Sequence, residues 1–247
     1  MLSHNPIIAG TRSLIYYLGF YIATILYSVV CLTLGAALPL KPRFKVVTLI
    51  NFFYVFWLRV CCGIKIRIKG AENLPKGQAY VVVANHQSEL ETIFLQTIVR
   101  PQCVVLKKEL LKIPFFGWCL ALLKPIALDR SQKRGALKQL LLQGKSRLED
   151  DQVPVVIFPQ GTRVPVGEEG KFNKGGAMLA VSASVPVIPL AHNAGVCWPG
   201  KGFLKYPGVV EVEIGKPILT ADCSVDEVHE QSVGWLVDKM NAMPDKL

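Results

Sequence analysis

The segment Asn85-His86-Gln87-Ser88-Glu89-Leu90-Glu91 places an imidazole and a carboxylate five residues apart. Imidazole is the side chain whose ordinary pKa, about 6.5, lets it take up and release a proton near neutrality. A carboxylate on one ring nitrogen fixes the tautomer and stabilises the imidazolium, which leaves the other nitrogen to act as a base. On a regular helix five residues turn the chain by about 500°, so the two side chains would point about 140° apart. They meet only if His86 precedes a helix and Glu91 lies in its first turns. The same residues also fit a second reading. Ser88 and Glu91 make the S-x-x-E pattern of a capping box, and acids favour first turns in any case. Both readings of Glu91 stand on the sequence.

A second group is Phe158-Pro159-Gln160-Gly161-Thr162-Arg163. A glycine turn carrying a hydroxyl and a guanidinium can hold a phosphate, because arginine offers two parallel donors to an anion; an ordinary loop with a solvated arginine is the alternative. Lys107, Lys108, Asp129 and Arg130 flank strand-like segments between the two groups and can add charge to the same edge. Lys171-Phe172-Asn173-Lys174-Gly175-Gly176 reads as a loop near the site. His192 follows an apolar run and reads as a strand-end histidine satisfied by backbone. The seven cysteines lack metal-ligand spacing and are odd in number, which speaks against a zinc module or a disulfide framework and for a reduced, cytosol-facing body.

The elements that must position these groups follow from periodicity. Ile64, Ile66 and Ile68 alternate with basic residues as in a half-exposed strand, and Ala79–Ala84 is a continuous apolar run as in a buried one, ending at Asn85-His86. Leu90, Ile93, Phe94 and Thr97 then fall at helical spacing, which supplies the strand-to-helix geometry that His86 and Glu91 require. Strands are expected at Cys103–Leu106, Pro125–Leu128, Val153–Phe158, Val185–Leu190 and Val209–Ile214, with an amphipathic helix through Leu137, Leu140, Leu141 and Leu148. Val185–Pro189 reads as a buried extended segment whose prolines limit its sheet pairing. Ser224-Val225-Asp226-Glu227 opens a final helix with a capping box. Strands alternating with helices predict an α/β sheet covered by helices.

The N-terminal region differs. From Leu14 to Leu40 no residue carries a charge, long enough for a bilayer core. A cleaved signal peptide, with Gly35-Ala36-Ala37 as its cleavage region, would have a shorter core of about 7–15 residues, so a retained anchor is expected. Val46–Leu58 is a second, shorter apolar stretch suited to an interfacial or re-entrant helix. Lys41, Arg43 and Lys45 lie between the two, and the positive-inside bias puts them on the cytoplasmic side. One deep helix and one shallow helix satisfy both features. The formal charge of +10 fits an anionic membrane or anionic substrates, whereas no nucleic-acid-binding motif accompanies it.

Taken in order, four blocks resemble the glycerolipid acyltransferases, and among them the 1-acylglycerol-3-phosphate O-acyltransferases: NHQSELET with its His-x4-acid spacing (His86, Glu91), KKELLKIPFFGW followed by PIALDR, FPQGTR, and Val185–Pro189. The resemblance runs from about Ile64 to Ile218. Two positions depart from the usual pattern. Glu91 stands where the acid is usually Asp, and Gln160 stands where most members have Glu, keeping size but losing charge.

The resemblance implies a central, mostly parallel or mixed sheet flanked by helices, with membrane-anchoring helices at 1–63 and an acyltransferase domain at 64–247. It implies transfer of an acyl group from acyl-CoA or acyl carrier protein to the sn-2 hydroxyl of lysophosphatidate, giving phosphatidate, with no metal, no cofactor and no covalent enzyme intermediate. His86 is then the base and Glu91 its orienting acid. Lys107, Arg130 and Arg163 hold phosphate, and Gln160, Gly161 and Thr162 shape the pocket. The expected partners are the lipid bilayer, lysophosphatidate and the acyl donor, and the expected location is the inner membrane with the catalytic body facing the cytoplasm. Two alternatives remain at this level: the same chemistry on glycerol-3-phosphate or another lysolipid, and a non-catalytic anion-binding protein marked by the changes at Glu91 and Gln160.

Overall fold

Seven strands form one sheet in the order β1-β7-β6-β2-β5-β3-β4, with β1 at Ile64–Lys69, β2 at Val81–Ala84, β3 at Cys103–Lys107, β4 at Ile126–Leu128, β5 at Val155–Ile157, β6 at Val187–His192 and β7 at Gly208–Ile214. The computed structural model describes residues 5–129 and 133–246. β6, β2, β5, β3 and β4 run parallel; β7 turns antiparallel to β6, and β1 pairs parallel with β7. The sheet is therefore mixed and mostly parallel, as expected.

Helices cover both faces, which explains the unbroken apolar runs in the central strands. Along β2, Val82 and Ala84 enter the core on one face, with Leu90, Ile93 and Phe94 of α4 (Leu90–Ile98). Val81 and Val83 enter the core on the other, with Leu140 of α6 (Lys133–Glu149), Leu179 of α7 (Gly175–Ser182) and Leu236 of α9 (Val225–Ala242). α9 begins with the expected capping box: Ser224 Oγ accepts from Glu227 N, and the Glu227 carboxylate accepts from Ser224 N.

The strand expected over Val185–Leu190 is β6, an interior strand paired on both sides, with the proline limiting its ladder on the β7 side alone. Pro189 O accepts from Gly215 N at 2.8 Å, so the ring faces the β7 side. The antiparallel ladder with β7 stops at Leu190, one residue away, and the missing N–H leaves no gap in it.

At the N-terminus, α1 (Pro6–Thr33) starts with Pro6 in its first turn and Asn5 as N-cap, Oδ1 accepting from Ile7 N at 2.9 Å. A short turn at Gly35–Ala37 leads into α2 (Leu40–Val47) and α3 (Ile50–Cys62). The turn is closed by Arg43, whose guanidinium donates to the carbonyls of Ala36, Leu38 and Leu122. α1 and the α2–α3 unit (Leu40–Cys62, 23 residues) are long and apolar enough to cross a membrane. They also belong to the body. Tyr16, Tyr54 and Leu58 are buried in the same core as Ile64, Val210 and Leu90, and Thr24 Oγ1 lies 2.7 Å from the Tyr54 hydroxyl.

Candidate active site

His86 lies two residues beyond the end of β2, and its backbone is fixed at both ends: its N–H donates to Gln160 Oε1 at 2.7 Å and its carbonyl accepts from Val164 N at 2.8 Å. The ring lies on Phe158, with centroids 4.5 Å apart and planes inclined by 23°. Glu91 sits in the first turn of α4, and the chain from His86 to Glu89 folds back over that turn. Its Oε1 lies 2.6 Å from His86 Nδ1 and also accepts from the backbone N–H groups of Gln87 and Ser88, at 2.9 and 2.8 Å. The two readings of Glu91 are thus both realised, and through one oxygen atom. The reciprocal half of the capping box is replaced: Ser88 Oγ accepts from Leu90 N at 3.1 Å.

Glu91 is fully buried, while His86 opens on a cleft. Burial raises the Glu91 carboxyl, but the fields of His192 and His86, with hydrogen bonds from His86 and the Ser88 amide, outweigh it and hold the group below the ordinary carboxylate range. An ionised Glu91 beside Nδ1 favours the tautomer in which that nitrogen is the donor, so that Nε2 is the acceptor of the neutral ring; Nε2 has no hydrogen bond among the described residues.

His192 is structural support for this arrangement. Its Nε2 lies 2.9 Å from Asn85 O, and its Nδ1 accepts from Ala194 N at 3.2 Å, which fixes the neutral tautomer. Asn85 pairs with the His192 backbone through both its amide atoms, at 2.8 and 2.9 Å. The tip of β2 is thereby stapled to the end of β6.

The glycine turn lies beside His86. Gly161 takes φ 68°, in the left-handed region that glycine tolerates. Asn173 clamps the preceding Pro159 carbonyl through both its backbone and side-chain N–H groups, at 3.0 and 2.7 Å, which ties the Lys171–Gly176 loop to the site. Gly161, Thr162, Arg163 and Lys107 line the cleft. Arg163 Nη1 lies 3.0 Å from Glu89 Oε1 and donates to Gly200 O at 3.1 Å. Gln160 is placed differently from the expectation that it shapes the pocket. Its oxygen holds the His86 amide and its nitrogen donates to Glu169 O at 2.7 Å, so it braces His86 from behind. An amide can do both jobs and a carboxylate cannot. Arg130 lies outside the described residues.

The cleft measures about 1380 Å³. It runs from His86 between α1, which contributes Tyr17, Phe20 and Ile25, and the segment carrying Leu110, Ile113 and Phe116. Sequence reasoning missed the α1 contribution, because a hydrophobic helix long enough to span lipid shows no period that marks one face as a pocket wall. Thr24, polar within that run and lining the cleft, was an available signal.

The profile of the acyltransferase family matches residues 65–193. The 1-acyl-sn-glycerol-3-phosphate acyltransferase of Pseudomonas aeruginosa is 42% identical over 238 residues, covering 94% of this chain and 91% of that protein. The enzyme of the same name from Saccharomyces cerevisiae is 31% identical over 86% of this chain and 68% of its own length. The crystal structure of the 1-acyl-sn-glycerophosphate (LPA) acyltransferase PlsC from Thermotoga maritima superposes with a TM-score of 0.74 at 26% identity, covering 92% of this chain and 95% of that one. Matched nearly end to end in both sequence and fold, the chain belongs to the acyltransferase family and, within it, to the 1-acyl-sn-glycerol-3-phosphate acyltransferases.

Proposed function

We propose that His86 is the general base of a direct acyl transfer at the membrane surface, oriented by Glu91. As a member of its family the chain acylates lysophosphatidate to phosphatidate. The observation that carries the assignment of roles is the 2.6 Å contact between His86 Nδ1 and a buried, ionised Glu91, with His86 lining the cleft. In the proposed step Nε2 takes the proton of the sn-2 hydroxyl as its oxygen attacks the thioester carbonyl. Collapse of the tetrahedral intermediate breaks the C–S bond, and the imidazolium returns its proton to the departing thiolate. The step uses no metal or prosthetic group, and no cysteine acts as a nucleophile. Both carriers, coenzyme A and acyl carrier protein, present such a thioester.

Arg163, with Lys107 lining the same cleft, would hold the acceptor phosphate beside the Gly161 turn, while the apolar cleft wall from α1 accommodates hydrocarbon. The lipid substrate, the basic charge and the exposed apolar sides of α1 and α3 support docking of the N-terminal helices in the inner membrane, with the body on the cytoplasmic side.

Purified protein supplied with lysophosphatidate and, in parallel, acyl-CoA or acyl carrier protein thioester tests this reading. Phosphatidate should form with at least one donor. His86→Ala should lower turnover about 10²- to 10⁴-fold while leaving the unfolding midpoint near wild type. A variant that keeps wild-type turnover would remove His86 as the base.

A further inference from the structure

Lys205 is a buried cation with no carboxylate in salt-bridge range among the described residues. It lies in the connection between α8 (Ala194–Cys197) and β7, and its whole side chain is enclosed. Nζ sits 3.7 Å from the ring centroid of Tyr17, 4.1 Å from that of Trp198 and 5.6 Å from that of Tyr16, and donates to Phe203 O at 3.2 Å. Two of these three rings belong to α1. The backbone of Lys205 is attached to the same helix, its N–H donating to Ser13 Oγ at 2.9 Å, and Phe203 stacks on Tyr17 with centroids 5.2 Å apart. A buried ammonium is costly unless compensated, and cation–π contact with aromatic faces is the compensation this site supplies.

The other end of the same connection reaches the catalytic motifs. Gly200 O accepts from Arg163 Nη1 at 3.1 Å. The backbone at Gly200 also lies so close to the His86 motif that a Cβ there would stand 2.5 Å from Gln87 O and 3.2 Å from Arg163 Cδ. Within this short segment, therefore, one end is fastened to the apolar N-terminal helix and the other sets the direction of a guanidinium at the cleft.

We infer that Lys205 is a positioning residue for acceptor binding: its caged ammonium fastens the Trp198–Tyr206 connection to α1, and through Gly200 that connection aims Arg163 at the lysophosphatidate phosphate. The inference rests on the reading of Arg163 as the phosphate ligand. Seating of α1 thus determines acceptor affinity, and neither Lys205 nor α1 needs to touch the phosphate.

Steady-state kinetics of the full chain in detergent, with lysophosphatidate and acyl-CoA or acyl carrier protein thioester varied in turn, decide the matter. Lys205→Met keeps the apolar stem and removes the charge. It should raise the acceptor KM about three- to tenfold, with kcat and donor KM within about twofold of wild type. Lys205→Arg should recover most of the loss. Combined with Arg163→Ala, Lys205→Met should add less than about twofold, because both act through one guanidinium. Arg163→Ala alone checks the underlying reading: an unchanged acceptor KM would remove the phosphate assignment itself. A raised acceptor KM in Arg163→Ala, together with a wild-type acceptor KM in Lys205→Met, a fall in its kcat alone, or full additivity of the pair, would overturn the coupling and leave the phosphate assignment standing. If Lys205→Met does not fold, Ser13→Ala, away from the cleft lining, removes the α1 acceptor of the Lys205 amide and must show the same acceptor-specific signature, or the inference fails.

Discussion

Because Glu91 Oε1 faces His86 Nδ1 and two backbone N–H groups together, Glu91→Gln separates charge from hydrogen bonding. The amide oxygen can still accept from Gln87 and Ser88, so α4 keeps its first turn, but the imidazolium loses its counter-charge. Turnover should fall by about 10²-fold or more, with a small change in the unfolding midpoint. A wild-type rate would reduce Glu91 to a capping residue. His192 gives a pH dependence of stability. Burial lowers its imidazole below the ordinary 6.5, against the raising effects of Glu91 and the Asn85 carbonyl. The unfolded chain then binds the proton first as pH falls, so this contribution is complete above about pH 6.5 and declines on acidification toward the folded value. Glu91 adds a second decline at lower pH, since its folded pKa lies below 4.5 and its contribution is lost only as pH falls through that folded value. Thermal midpoints measured from pH 8 down to about 5 should decrease, and His192→Gln should flatten the part of the curve starting near pH 6.5. A wild-type slope in that variant would assign the decline elsewhere.

Among the elements, α1 and α3 are held face to face by a close approach at Gly19, where any Cβ would collide with the Trp57 indole. Gly19→Val should therefore push the two helices apart and cost about 1–3 kcal/mol, seen as a lower thermal midpoint in detergent. An unchanged midpoint would mean that Trp57 swings away freely. The helical hairpin also forms one wall of the cleft, so its loosening should weaken acyl-chain binding as well. Sequence period located most strands and helices close to where they lie, because each buries a face with its own repeat. It located β6 as well but not the side on which Pro189 limits pairing: a proline's effect depends on which neighbour its missing N–H would have met, and that is set by strand order.

For the whole molecule, α1 and α3 turn Leu18, Ile22, Leu26, Phe53 and Phe56 outward while their other sides enter the core. The proposal that this surface enters lipid predicts co-sedimentation with anionic vesicles. The triple variant Phe52→Ser, Phe53→Ser, Phe56→Ser should be retained less, and added salt should weaken retention through the basic charge. Equal retention of the variant at all salt concentrations would remove this face as the docking surface.

Residue order alone determined where the candidate groups lie, since an imidazole, an acid at the spacing that a strand-to-helix turn brings together, and a glycine turn with a guanidinium are all local patterns. It also determined the two-sided burial of the central strands. Tertiary structure alone decided what braces His86. Gln160, Asn85 and His192 come from three separate strand ends, and their contacts exist only once β2, β5 and β6 lie side by side. The same holds for the caged Lys205, whose partners on α1 are separated from it by most of the chain. Periodicity reports which face of an element is buried and carries no record of the distant residue that buries it.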